Sequence, residues 1–297
     1  MTISIRECFV SRYGPENGFL VEFDFSQLEI CALAEVSGDT VLIDELNRGE
    51  DIHRLNAAMW LGKRPDEVTT DERKKAKVMT FQLQYGAGPK KMAESLGITA
   101  YAAREFINAF YTKYTGIKHY HDTLESTKNI ATLSALKQIN PELETMIVAP
   151  TPTGRMYSIP FREQTKGGGG WYYSSTELKN YPIQGFGTAD IVPVVLNLVY
   201  DAMQEVYALT PTETPQLINT VHDSIMFDCK VDELVKLFVV VETAFRRFPA
   251  KFKELFDYEL KVVYNYDVKV GKNWFEKDMD KFTRTEVQSL IKDKFGV

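Results

Sequence analysis

The sequence predicts an α+β fold in which a sheet built from both ends of the chain carries a helical lobe inserted between them. Three observations predict it. Strand-like apolar runs lie near residues 19–23, 217–227 and 260–270; helical signatures alone fill about 41–131; and apolar helices flank the second strand pair. The chain has 297 residues, 44% hydrophobic and 26% charged, which is ordinary globular composition and long enough for about two domains. That excludes a disordered chain, collagen and a disulfide mini-scaffold. Cys8, Cys31 and Cys229 lie too far apart for a zinc pattern, and an odd, unclustered count suits a reducing, cytoplasmic compartment. The longest apolar run, around 192–200, holds Pro193 and Asn197, so no membrane span is expected. A net charge of -6 speaks against a surface that binds polyanions everywhere, but leaves room for one basic cleft.

The elements follow in order. Residues 19–23 are apolar, aromatic and β-branched after Gly18, a short buried strand ending at Asp24-Phe25-Ser26. From Ser26 to Val36 the spacing of Leu28, Cys31, Ala32 and Val36 is helical, and Gly38-Asp39 closes it. Thr69-x-x-Glu72 is a capping box that opens a helix over about 70–85, stopped by Gly86, Gly88 and Pro89. The next helix starts near Thr99, buries Phe106, Ile107, Phe110 and Tyr114, and ends at Gly116; a third covers 117–131. Pro141, Pro150, Pro152 and Pro160 keep 137–170 irregular, with a hairpin over 146–159 around Thr153-Gly154 and a tetraglycine loop at 167–170. A helix runs from Gly187 to about Ala208, with Pro193 in its first turns. Apolar runs at 217–221 and 225–227 flank His222-Asp223 as a hairpin. Residues 234–248 form an apolar helix, 260–270 alternate as a strand, and Thr283-x-x-Glu286 opens a last helix with Val287, Leu290 and Ile291 on one side.

Four constellations carry chemistry. Asp24 stands at a strand end, where a carboxylate has rigid support, although an Asp there equally caps the next helix. Arg73, Lys77, Phe81 and Tyr85 recur every four residues, so they share one helix stripe, cationic first and aromatic last. Such a stripe suits phosphates and then a base; a solvated basic face over buried rings has the same spacing. Asp223 sits in a hairpin turn, within reach of a metal, where Asp is also common turn chemistry. Asn180 and Gln184 are amides one helical turn apart, fit to read groove edges or merely to end a helix.

Their order along the chain carries a resemblance. Asp24-Phe25-Ser26-Gln27-Leu28-Glu29 resembles motif A of the family A DNA polymerases, the bacterial polymerase I type. Arg73-x-x-x-Lys77-x-x-x-Phe81-x-x-x-Tyr85-Gly86 resembles motif B, and Val221-His222-Asp223 resembles motif C. Asp51-Ile52-His53-Arg54, the Asn180 to Gly185 segment and Gly271-Lys272-Asn273-Trp274 resemble three further family segments. The resemblance covers about residues 3–275.

It implies a right-hand polymerase fold: palm 1–40 with motif A, fingers 41–160 with motif B and a connecting hairpin, palm 161–276 with motif C, and a C-terminal helical extension at 277–297. It also implies two Mg²⁺ ions held by Asp24, Asp223 and the carbonyl of Phe25. Arg73 and Lys77 would hold the dNTP triphosphate, with Lys77 supplying a proton to pyrophosphate. Phe81 would pack on the nucleotide, Tyr85 would stand by the templating base, and His53 and Gln27 would line the pocket. Glu29 would be the steric gate against a ribose 2′-hydroxyl, and Asn180, Gln184 and His222 would contact primer–template DNA.

Departures are plain. Ser224 replaces the Glu usual after the motif C Asp, Thr176 a frequent Arg, and Gln82 the usual Gly; 137–170 is longer than usual, and residues past 275 extend beyond the family end. With Met1 shortly before motif A, the thumb, the exonuclease and an upstream Thr-Gly-Arg segment are expected to be absent. A split polymerase, viral, is therefore expected, with a second polypeptide supplying thumb and exonuclease. A single-subunit RNA polymerase is the first alternative, and Glu29 speaks against it. A non-catalytic DNA-binding or assembly subunit is the second, and retention of Asp24, Asp223, Arg73 and Lys77 speaks against that.

Overall fold

Hydrophobic periodicity sets where each element begins and ends, and the computed structural model describes residues 4–126, 139–140, 146–160, 162–163, 171–207 and 215–296. In chain order the first elements are a helical turn α1 (Gly14–Asn17), strand β1 (Gly18–Phe25), and helices α2 (Leu28–Ser37), α3 (Thr40–Asn47), α4 (Ile52–Leu61), α5 (Thr70–Gln84), α6 (Pro89–Leu96), α7 (Ala100–Lys113) and α8 (Thr115–Ser126). Then come strands β2 (Met146–Pro150), β3 (Met156–Pro160), β4 (Arg162–Glu163) and β5 (Trp171–Tyr172), and helix α9 (Ser175–Gln184), which continues through a π-turn at Gly185–Ile191 into α10 (Val192–Tyr207). Strands β6 (Gln216–Val221) and β7 (Ser224–Lys230), helix α11 (Leu234–Phe256), strands β8 (Tyr266–Gly271) and β9 (Met279–Thr283) and helix α12 (Arg284–Phe295) complete the chain.

The chain divides into two compact units. The first holds Met1–Leu28, Gly187–Leu260 and Tyr264–Val297. Its sheet is antiparallel, in the order β6-β7-β1-β8-β9. Side chains alternate across a strand, so Val21, Phe23 and Phe25 share one face with Phe227 and Tyr266. That face meets α11: Phe23 lies 5.7 Å from Phe227 and 6.1 Å from Phe238, and Phe25 lies 5.1 Å from Phe245, centroid to centroid. Phe23 is 2% exposed, and burying each such ring contributes about 1.5–3 kcal/mol. The opposite face carries charge, with Glu22 across from Lys269 and Asp24 across from Asp267. α10 packs on α11, and its Val195, Leu198, Val199 and Ala202 are buried.

The second unit holds Glu29–Phe186 and Lys261–Val263 and is mostly helical. Thr69 and Glu72 close the expected capping box on α5, and Thr99 caps α7. Tyr114 bonds Glu45 (2.8 Å) and Asn56 (3.1 Å), and Asn56 donates to Thr80 (3.1 Å), so a buried polar network ties α3, α4, α5 and the end of α7 together.

Several expectations need correction. Gly116 does not stop a helix: Tyr114 caps α7, and Gly116 lies in the first turn of α8. There a Cβ would meet the Asp39 backbone at 2.7 Å, while the Asp39 carboxylate accepts from the Gly116 and Ile117 amides. Ile107 is only half-buried and Leu290 is exposed, because the buried stripes of their helices narrow at those positions. α11 passes through Pro249 to Phe256, since Phe252 buries itself beyond the proline. Residues 260–265 are not strand, whereas 279–283 are. The extension at 277–297 thus begins with an edge strand on β8 rather than being helical throughout. The unit boundaries also differ from the expected division: residues 29–40 and 161–186 go with the helical unit, and 277–297 go with the sheet. The run Ser175–Tyr207 is 33 residues of continuous helix, long and apolar enough to cross a membrane by those measures, although most of its apolar stretch is buried in the protein. The expected 146–159 hairpin forms as β2–β3, with Gly154 at φ +83° in its turn. The tetraglycine loop and the end of the helix expected to reach 131 lie outside the described residues.

Candidate active site

In the sheet unit, the β6–β7 hairpin places Asp223 in a two-residue turn at the same sheet end where β1 delivers Asp24. Asp24 pairs with Ser224, and the Phe25 amide donates to the Asp223 carbonyl (3.2 Å), which ties the hairpin turn to the end of β1. Both are half-buried. Burial pushes the Asp24 carboxyl up to about 6, the negative charge of Asp223 adds to this, and the Lys269 ammonium opposes it. Lys269 Nζ lies 3.7 Å from Asp24 and 2.7 Å from Glu22, whose other oxygen takes the Trp274 indole N–H at 2.7 Å. Ser224 is buried and donates its hydroxyl to the Val221 carbonyl (3.1 Å), so it closes the hairpin turn. Gln27 and His222 flank the acids, with left-handed backbones at φ 56° and 54°.

In the helical unit, α5 presents the expected stripe. Arg73 Nε bonds Asp51 at 2.5 Å; Lys77 Nζ stands 5.6 Å from the centre of the Phe81 ring; Phe81 and Tyr85 stack at 6.3 Å. α4 delivers His53, 2% exposed, to 5.4 Å from Phe81. Burial lowers its imidazole to about 4, and the charges of Lys77 and Arg73 push the same way, so the ring is neutral, and its buried Nδ1 has no partner among the described residues. Glu29, from α2, accepts the Tyr85 hydroxyl at 2.5 Å; burial and that carboxylate hold the phenol well above its usual range.

Asn180 and Gln184 lie in the last turns of α9, and the helical run begins at Ser175 rather than at Gly187. The missed start is Ser174, which caps α9 through the Glu177 amide (3.1 Å). Gly185 is required where the run turns into its π-segment, since a Cβ there would fall 1.8 Å from the Tyr157 hydroxyl. Gln184 is exposed and hydrogen-bonds Tyr85, while Asn180 Oδ1 is buried with no partner among the described residues.

The expected residues therefore gather in two groups. Asp24, Phe25, Gln27, His222 and Asp223 belong to the sheet unit, and Glu29, His53, Arg73, Lys77, Phe81, Tyr85, Asn180 and Gln184 to the helical unit. Sequence reasoning missed Lys269, Glu22 and the ion pair of Asp51. Alternation along 266–271 was a faint signal for Lys269; its partners depend on register.

A family model described as DNA polymerase family A matches residues 1–276. The chain belongs to that family. It is 28% identical to the DNA polymerase I of Lactococcus lactis subsp. lactis over 278 residues, 92% of this chain and 27% of that protein. It is 38% identical to the DNA polymerase theta of Mus musculus over 128 residues, 43% of this chain and 5% of that protein. In fold it is similar to the solved POL domain of Pol1 from M. smegmatis, in complex with DNA primer-template and dNTP. The TM-score is 0.67 at 24% identity, over 91% of this chain and 42% of that one. The chain thus spans about a quarter to a third of the length of the bacterial relatives it matches.

Among the described residues, no three or more His, Cys, Asp or Glu side chains form a metal-holding group by themselves. Two coupled carboxylates beside a main-chain carbonyl still fit Mg²⁺, which takes few carboxylates and keeps places for water and phosphate oxygens.

Proposed function

We propose that this chain performs template-directed DNA synthesis, joining a dNTP to a primer 3′-hydroxyl with release of pyrophosphate. The observation that carries the reading is the meeting of Asp24 and Asp223 at one sheet end, each electrostatically felt by the other. Asp24, Asp223 and the Phe25 carbonyl would hold two Mg²⁺. When bound, these ions stabilise charge on the attacking and leaving oxygens. Arg73 and Lys77 bind the triphosphate, Arg through its planar fork and Lys as a point charge. Lys77 donates a proton to the departing pyrophosphate. Phe81 packs on the nucleotide, and the neutral His53 and Gln27 line its pocket. Glu29, steadied by Tyr85, blocks the 2′-position of a ribonucleotide. Asn180, Gln184 and His222 engage primer–template DNA. A net charge of -6 limits phosphate grip, so DNA binding by the chain alone is weak and salt-sensitive, and a second polypeptide strengthens it.

Primer extension with Mg²⁺ tests this reading. Asp223→Asn loses synthesis while keeping its circular dichroism, and Glu29→Ala gains ribonucleotide incorporation. Full synthesis by Asp223→Asn overturns the assignment of the carboxylates. Discrimination unchanged in Glu29→Ala removes the gate.

A further inference from the structure

Asp51 serves two partners with its two oxygens. Oδ1 caps α4 by accepting from the Arg54 amide (3.2 Å); Oδ2 takes Arg73 Nε (2.5 Å), with Arg54 Nε at 3.9 Å. The cap pins the carboxylate to the start of a helix, so its second oxygen has a fixed direction. Among the described residues the terminal Nη groups of Arg73 make no further hydrogen bond, and its side chain is 33% exposed. A guanidinium held at Nε presents its two Nη groups as a ready fork, the geometry that matches phosphate oxygens. The first turn of α4 also supplies His53, so one helix end shapes both neighbours of the stripe.

We propose that Asp51 is a positioning residue that aims the Arg73 fork at the nucleotide triphosphate. This rests on the reading of Arg73 as a triphosphate ligand. A side chain otherwise free to rotate would lose rotamer entropy on each binding event, and the Asp51 pair meets that loss beforehand. Burial pushes the Asp51 carboxyl up, but the hydrogen bonds from Arg73 and the Arg54 amide outweigh it. The group is anionic across the neutral range.

Asp51→Asn isolates the effect, because Asn keeps one oxygen for the helix cap while its NH2 cannot accept from Arg73 Nε, so the hold on Arg73 is lost and the cap is not. Primer-extension kinetics and binding of a fluorescent dATP with Mg²⁺ are measured for wild type, Asp51→Asn, Arg73→Ala and the double variant, with melting temperatures as a fold check. Expected for Asp51→Asn is a dNTP KM and Kd higher by about five- to tenfold, with kcat within about twofold and an unchanged melting point. In the Arg73→Ala background the substitution adds nothing, because the two residues act as one unit. An unchanged or lower KM in Asp51→Asn overturns the proposal, as does a full additional loss on top of Arg73→Ala. If Arg73→Ala itself leaves nucleotide binding unchanged, the underlying assignment of Arg73 fails instead.

Discussion

Left-handed backbone at non-glycine residues marks both approaches to the carboxylate pair: Gln27 follows Asp24 and Phe25, and His222 precedes Asp223. Such conformations cost side-chain-bearing residues roughly 1 kcal/mol and persist where surrounding structure enforces them. At His222 the enforcement is a hairpin turn of only two residues between β6 and β7. His222→Gly is therefore expected to raise stability by about 0.5–1 kcal/mol in urea melts while lowering primer extension. A variant both more stable and equally active would leave the imbalance without a function. At the same scale, Glu29 and Tyr85 were legible separately as motif residues. Their hydrogen bond was not, because it joins α2 to the end of α5, 56 residues apart.

At the level of elements, the sheet explains why the C-terminal segment belongs with it. Glu242 of α11, 4% exposed, accepts from Arg284 at both Nε (2.9 Å) and Nη2 (3.0 Å), from Tyr266 (2.9 Å) and from Gln288 (3.1 Å). Burial alone would raise its carboxyl, but these donors hold it below the usual range. Breaking a buried pair from one side leaves a stranded charge, which costs about 3–5 kcal/mol. Arg284→Met is expected to lower unfolding free energy by about 3 kcal/mol in urea melts, while Lys251→Met, on an exposed pair of the same helix, changes it by under about 0.5 kcal/mol. β9 was illegible because Met279-Asp280-Lys281-Phe282-Thr283 lacks clean alternation. Its strand state comes from pairing with β8, where Lys281 also reaches Asp267 at 2.9 Å. The α9 start was missed for a related reason: Pro182 reads as a breaker, yet it sits inside a helix capped eight residues earlier.

For the molecule as a whole, buried imidazoles set the acid response. His53 and His121 are each 2% exposed, and burial lowers them to about 4 and about 3. In the unfolded chain they protonate near 6.5, so stability is full above that pH and falls as the pH drops from about 6.5 toward 4. Asp24 acts in the opposite sense: raised to about 6, it contributes stability at low pH that is lost as the pH rises through about 6. The two imidazoles outweigh the single carboxyl, so the urea midpoint falls between pH 6.5 and 4. His121→Gln is expected to flatten that fall. An equally steep fall in the variant would assign the acid response elsewhere.

The sequence by itself determined the α+β class, most helix starts and the family motifs, because capping boxes, apolar periods and short-range spacing are local physics. It also determined which residue types stand at the motif positions, since their order along the chain is a one-dimensional fact. Only the tertiary structure decided that Asp24 neighbours Asp223, that Lys269 answers Asp24, that Asp51 holds Arg73, and that the last strand joins the sheet. Each of these is a contact between segments distant along the chain. Strand register and helix packing select such partners, and no local preference encodes them.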